Sequence, residues 1–154
     1  MRDFQRSKVY KAERPLQEKA KRIVKLEDLT QYVDELVKKD WFRFFWPKTK
    51  TILVKDGRGR GRGIGWNFGS RGEIAMPVWT RNELYLLHEI SHAITPNIES
   101  NHGEHFTANT IRLAWNMIGP EVANNLWINY RMHKVKIFKE KDLAFELSNK
   151  VWEF

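Results

Sequence analysis

The sequence predicts an α+β fold in which a small antiparallel sheet of about three short strands packs against one chemistry-bearing helix and several further helices. Three observations carry that expectation. Apolar residues recur at helical spacing through most of the chain, β-branched and aromatic runs concentrate between residues 51 and 78, and Gly and Pro punctuate the joints. With 154 residues, 42% hydrophobic and 13% aromatic, the chain has enough apolar material for one globular domain. We assign residues 1–137 to that domain and 138–154 to a helical extension packed on it.

Residues 3–24 read as a helix with Asp3 or Ser7 as cap, Val9, Ala12, Leu16, Ala20 and Ile23 at apolar positions, and Pro15 as a kink. In Leu26–Val37 the apolar set Leu26, Leu29, Val33, Leu36 and Val37 marks one helix face, and Glu27 and Asp28 suit its N-terminal dipole. The run WFRFFWP places five aromatics in seven residues and reads as a buried connection into the sheet. Strands follow at Thr51–Val54, Ile64–Phe68 and Glu73–Val78. Between the first two lies DGRGRGRGIG, expected to form a flexible hairpin tip that carries Arg58, Arg60 and Arg62.

Thr80 and Glu83 have the T-x-x-E spacing of a capping box, which opens a helix that can run to Thr95 before Pro96. A second helix spans Glu104–Ile118 with Phe106, Leu113, Ala114 and Met117 on one face. Gly119 and Pro120 end it and begin a third, which buries Val122, Ala123, Leu126 and Trp127 and ends near Met132. The last segment reads as a strand at KVKIF and a final helix with Leu143, Leu147 and Val151 on one stripe.

Charge is distributed unevenly. The net +8 combines 14 Lys/Arg against 8 Asp/Glu in residues 1–50, 5 against 1 in residues 51–72, 2 against 6 in residues 73–130, and 6 against 4 in residues 131–154. The basic half suits nucleic acid as a partner, with Arg58, Arg60 and Arg62 as candidate phosphate contacts. No apolar run approaches the roughly 18 residues that cross a bilayer, so a cytoplasmic protein with no membrane partner is expected. The chain has no Cys, which excludes disulfides, thiol catalysis and Cys-based zinc ribbons and leaves His, Asp and Glu as metal ligands.

Four of the five His fall between positions 88 and 105, two of them in His88-Glu89-Ile90-Ser91-His92. Residues four apart share a helix face about 6 Å along the axis, so two imidazoles in an HExxH pattern can reach one zinc ion. The Glu one residue after the first ligand can lean over the open coordination position as a general base. At this composition chance yields roughly 0.01 such matches. Catalytic zinc takes three protein ligands, and the candidates for the third are Glu99, His102, Glu104 and His105. A loop after Pro96 can turn the chain back, which makes His102 the best placed; His105 is the alternative ligand, or else a donor or substrate contact. His133 reads as structural or solvated.

The segment His88-Glu89-Ile90-Ser91-His92-Ala93 followed by His102-Gly103-Glu104-His105-Phe106 resembles the SprT-like zinc metalloproteases, in which an HGxxF/W element after the HExxH helix supplies the third His. More closely, RDFQRSKVYKAE, QYVDELVKKDWFRFFWP and IGPE resemble a family of small metallohydrolases of bacteria and phages, over roughly residues 2–132. The resemblance implies a zincin-like fold, one Zn²⁺ on His88, His92 and His102, and Glu89 as the catalytic glutamate. The chain departs from the SprT-like pattern in its shorter His92–His102 spacing and in His105, where that family often has Glu.

The expected activity is hydrolysis of a protein or peptide by a zinc-activated water with Glu89 as base. An edge strand at Glu73–Pro77 is expected to align the extended substrate. The competing expectation is a basic nucleic-acid-binding protein whose zinc site is structural or degenerate.

Overall fold

The computed structural model describes residues 2–150. Among them are seven α-helices, a three-stranded sheet and one 3₁₀ turn, an α+β composition. No described helix is long and apolar enough to cross a membrane. The chain forms two compact units, one from the segment up to Lys19 together with Asn97 onward, the other from Ala20–Pro96.

In the second unit, α2 (Leu26–Val37) has the predicted bounds and buries Leu29, Val33 and Leu36. The aromatic run behaves differently from expectation. It forms a short helix, α3 (Asp40–Phe45), that buries Phe42 and, just beyond, Trp46, while Phe44 is 77% exposed. Helical geometry sends neighbouring side chains in different directions, so five aromatics in a row cannot all face inward.

The strands are β1 (Thr51–Lys55), β2 (Ile64–Asn67) and β3 (Arg71–Ala75), in the order β1-β3-β2. This corrects the antiparallel expectation: β1 pairs with β3 in parallel, and only β2 with β3 is antiparallel. It also corrects the peptide-aligning strand, because β3 lies in the centre with both edges paired and β2 is an edge. The Arg-Gly tract is not a hairpin tip. Arg81 holds both the carbonyl and the carboxylate of Asp56, at 3.0 and 2.9 Å. Gly57 (φ 74°) lies so close to the Met76–Pro77 backbone that a Cβ there would meet Pro77 N at 2.6 Å. The chain therefore crosses the end of β3 and returns as β2 on its far side. The true hairpin joins β2 to β3, with Gly69 (φ 86°) in the turn and Phe68 N–H donating to Arg71 O at 2.8 Å.

One sheet face packs on helices, with α2 against β1 and α4 (Glu83–Ile94) against β2 and β3. Ile52, Val54 and Ile74 are buried on it. Gly65 and Gly72 let α4 approach so closely that a Cβ on Gly72 would meet Ala93 Cβ at 2.8 Å. Residues of opposite parity, Leu53, Glu73 and Trp66, pair across the outer face.

In the first unit, α1 (Arg6–Gln17) is shorter than predicted. Pro15 falls near its C-terminal end, and neither Asp3 nor Ser7 is its cap, which is Gln5. From Ala20 on, the expected helix belongs to the other unit, where Ile23 N–H donates to Arg81 O at 2.8 Å. Helices α5 (Glu104–Met117) and α6 (Pro120–Met132) pack together, α6 also covers α1, and α7 (Glu140–Lys150) lies on α5. Tyr130, fully buried, donates to Glu13 Oε2 at 2.7 Å. KVKIF forms no strand. Its backbone is satisfied by Gln5, by Thr107 and by Glu104 O, which leaves no ladder to join. Leu143 and Leu147 are buried as expected, and Val151 lies outside the described residues.

Candidate metal centre

The α4 helix begins at Asn82, whose side-chain oxygen accepts from Tyr85 N–H at 2.9 Å. The predicted capping box is therefore incorrect. Thr80 lies in a 3₁₀ turn, where its hydroxyl donates to Pro77 O at 2.7 Å. Arg81, buried just before the helix, donates to Met76 O and Val24 O as well as to Asp56 and so ties the entry of α4 to the sheet and to the α2 approach. At the other end Asn67 Nδ2 of β2 donates to Thr95 O at 2.9 Å. The helix that carries the HExxH residues is thus held at both ends within its own unit.

Leu84, Leu86, Leu87, Ile90 and Ile94 are buried, and so are His88, Glu89 and Ser91 among them. Ser91 satisfies its hydroxyl on Leu87 O at 2.8 Å. The spacing of four brings the His88 and His92 rings to 5.0 Å between centroids at an interplanar angle of 76°. Tyr85, one turn earlier, lies 5.9 Å from the His88 ring. Glu89 is 2% exposed, and its carboxylate lies against Gly63 just before β2. Burying a carboxylate and the His88 imidazole in an apolar helix, with His92 half-buried beside them, carries a solvation cost.

His102 belongs to the first unit. It is 4% exposed, and its Nδ1 lies 2.6 Å from Asp3 Oδ2. In the neutral imidazole, an Nδ1–H donated to that carboxylate leaves the ring lone pair on Nε2. Tyr10 and Phe106 pack on the ring with centroids at 5.1 Å each, and Gln5 Nε2 donates to the His102 carbonyl at 2.9 Å. Asp3 was expected as a helix cap; its tie to His102 spans 99 residues and has no local signal.

His105 is held by Glu99. Its backbone N–H donates to Oε1 at 2.8 Å, its Nδ1 lies 2.9 Å from Oε2, and the ring stacks on Phe138 at 3.9 Å. Glu99 also accepts from Phe106 N–H at 3.3 Å, so it caps α5. Gly103 has no room for a Cβ beside that carboxylate. The ligand-capable atoms of Glu99, Glu104 and His105 lie within 4.8 Å of one another. A carboxylate just ahead of a helix start was a readable signal for this cap. His133, at the C-terminal cap of α6, is exposed.

Arg58, Arg60 and Arg62 are exposed on the crossover between β1 and β2. Arg58 faces Asp56 at 3.8 Å, and Arg60 lies over the Trp66 ring at 5.2 Å. Across the β2–β3 hairpin Arg71, at the start of β3, lies over the Phe68 ring at 5.3 Å. Leu53 and Phe68 on this side are 48% and 54% exposed. Composition flagged the arginines but not the aromatics beneath two cations.

No protein-family model, no curated protein and no solved structure matches the chain.

Proposed function

We propose that the chain is a zinc-dependent peptide hydrolase in which His88, His92 and His102 together hold one metal ion. The observation that carries this reading is the helical pair of imidazoles, 5.0 Å apart, His88 buried and His92 half-buried, with a buried glutamate between them in sequence. The donor set suits zinc: three imidazoles, one of them already oriented by the carboxylate of Asp3. Bound there, Zn²⁺ supplies Lewis acidity and brings the pKa of a water molecule toward about 7. Glu89 takes the proton of the attacking water and returns it to the leaving amine. The open edge of β2, which packs on the same helix, offers main-chain groups to an extended peptide.

The test is Glu89→Gln. Metal content should stay at wild-type level while cleavage of a fluorogenic peptide library falls by about 10²- to 10⁴-fold. Undiminished cleavage would remove Glu89 from the reaction.

A second reading rests on the outer sheet face. Trp66 and Phe68 with Arg60 and Arg71 over their rings, beside exposed Arg58 and Arg62, suit a single-stranded nucleic acid whose bases stack while its phosphates meet guanidiniums. This function does not require the hydrolase and does not exclude it.

A further inference from the structure

The Arg-Gly tract contains two kinds of glycine. Gly59 and Gly61 have open space where a Cβ would stand, as expected of a solvated loop. Gly63 and Gly65 do not, although neither has a left-handed backbone that would call for glycine. Space, rather than conformation, explains them. A Cβ on Gly65 would fall on the Glu89 carbonyl oxygen and 2.9 Å from His92 Cβ, so Gly65 sets how closely β2 can lie on α4. A Cβ on Gly63 would stand 2.5 Å from Glu89 Oε2, 3.3 Å from Glu89 Cδ and 2.7 Å from Tyr85 Cε1. Gly63 N–H also donates to the Tyr85 hydroxyl at 3.2 Å, which fixes the strand against that ring.

We propose that Gly63 is a positioning residue for Glu89: the missing side chain forms one wall of the slot that receives the Glu89 carboxylate. The two obstacles to a methyl group differ in kind. At Gly65 the obstacle is helix backbone, which cannot yield without separating strand from helix. At Gly63 it is chiefly the far end of a flexible side chain, so Gly63→Ala displaces the carboxylate and leaves α4 and its imidazoles in place. The kinetic consequence rests on Glu89 acting as general base; the placement of the carboxylate does not.

The experiment is a double-variant cycle on the metal-free full chain, read by thermal unfolding. Gly63→Ala should lower the midpoint by roughly 2–4 °C, the order expected of a modest steric conflict in a chain of this size. In a Glu89→Ala background the same substitution should cost clearly less, since the clash with the Glu89 carboxylate is gone and only that with Tyr85 Cε1 remains. Equal losses in the two backgrounds would overturn the proposal. A crystal structure of Gly63→Ala should show the carboxylate displaced over an unmoved α4, and an undisplaced carboxylate would also overturn it. If Gly63→Ala alone fails to fold, the proposal requires that Gly63→Ala with Glu89→Ala folds. With metal loaded, Gly63→Ala should lower kcat at least tenfold at unchanged KM and metal content. If Glu89→Gln retains turnover while the cycle shows coupling, the general-base reading fails and the positioning stands. If Glu89→Gln is inactive and the cycle is additive, the positioning fails alone.

Discussion

A single carboxylate determines which nitrogen of His102 faces outward from its hydrogen bond. Asp3 Oδ2, 2.6 Å from Nδ1, favours the tautomer with its lone pair on Nε2 and restrains rotation of the ring. Asp3→Ala should therefore weaken zinc binding by about 10- to 100-fold, measured by competition with a chromophoric chelator. Unchanged affinity would mean that the bond only tethers the N-terminal segment. His105 provides the contrast. Its Nδ1 and its backbone N–H both engage Glu99, which caps α5, so His105→Ala should retain the metal where His102→Ala loses it. Both histidines were legible as ligand candidates from their crowding after HExxH. Their carboxylate partners differ in legibility, because Glu99 is six residues from His105 whereas Asp3 is 99 from His102.

Among the elements, helices were the more legible. The bounds of α2 coincide with its apolar pattern, and α4, α5 and α6 begin or end where Gly, Pro and polar residues predict. A helix satisfies its own backbone locally, so periodicity suffices to find it. A sheet does not. The strands were placed within a few residues, but their order and direction depend on the crossover that Arg81 and Gly57 enforce at the end of β3. That crossover leaves Trp66 and Phe68 beside Arg60 and Arg71. Two variants separate the contributions to nucleic-acid binding. Trp66→Ala should weaken single-strand binding with the salt slope preserved, by the ~1–3 kcal/mol typical of one stacked base. Neutralising Arg58, Arg60 and Arg62 together should flatten the salt dependence. Single-strand affinity that neither variant alters would remove this face as a binding surface.

At the scale of the whole molecule, each unit sets a tyrosine against a carboxylate, Tyr32 half-buried and Tyr130 fully buried. Tyr32 donates to Glu83 and Tyr130 to Glu13, each at 2.7 Å. Burial first, and then the neighbouring carboxylate, raises both phenols above their ordinary value near 10. Below that pH the folded and unfolded chains keep the same phenolic protons. Above it the unfolded chain releases them while the folded one retains them, so stability falls as pH rises. The unfolding midpoint should drop between about pH 9.5 and 11, and Tyr130→Phe should make that drop shallower. An alkaline limb identical in the variant would show that Tyr130 is not its source.

By itself the sequence determined the α+β composition, the Cys-free donor set and the helix that carries His88, Glu89 and His92. Each depends on residue type or on spacing within a few residues, where local geometry leaves little choice. Tertiary structure alone decided that β1 and β3 run parallel, that β2 rather than β3 is an edge, that Asp3 holds His102, and that Gly63 faces Glu89. These are contacts between residues far apart in the chain, chosen by which apolar faces can be buried together and which buried polar atoms can be satisfied, and neither constraint is written in any short window of sequence.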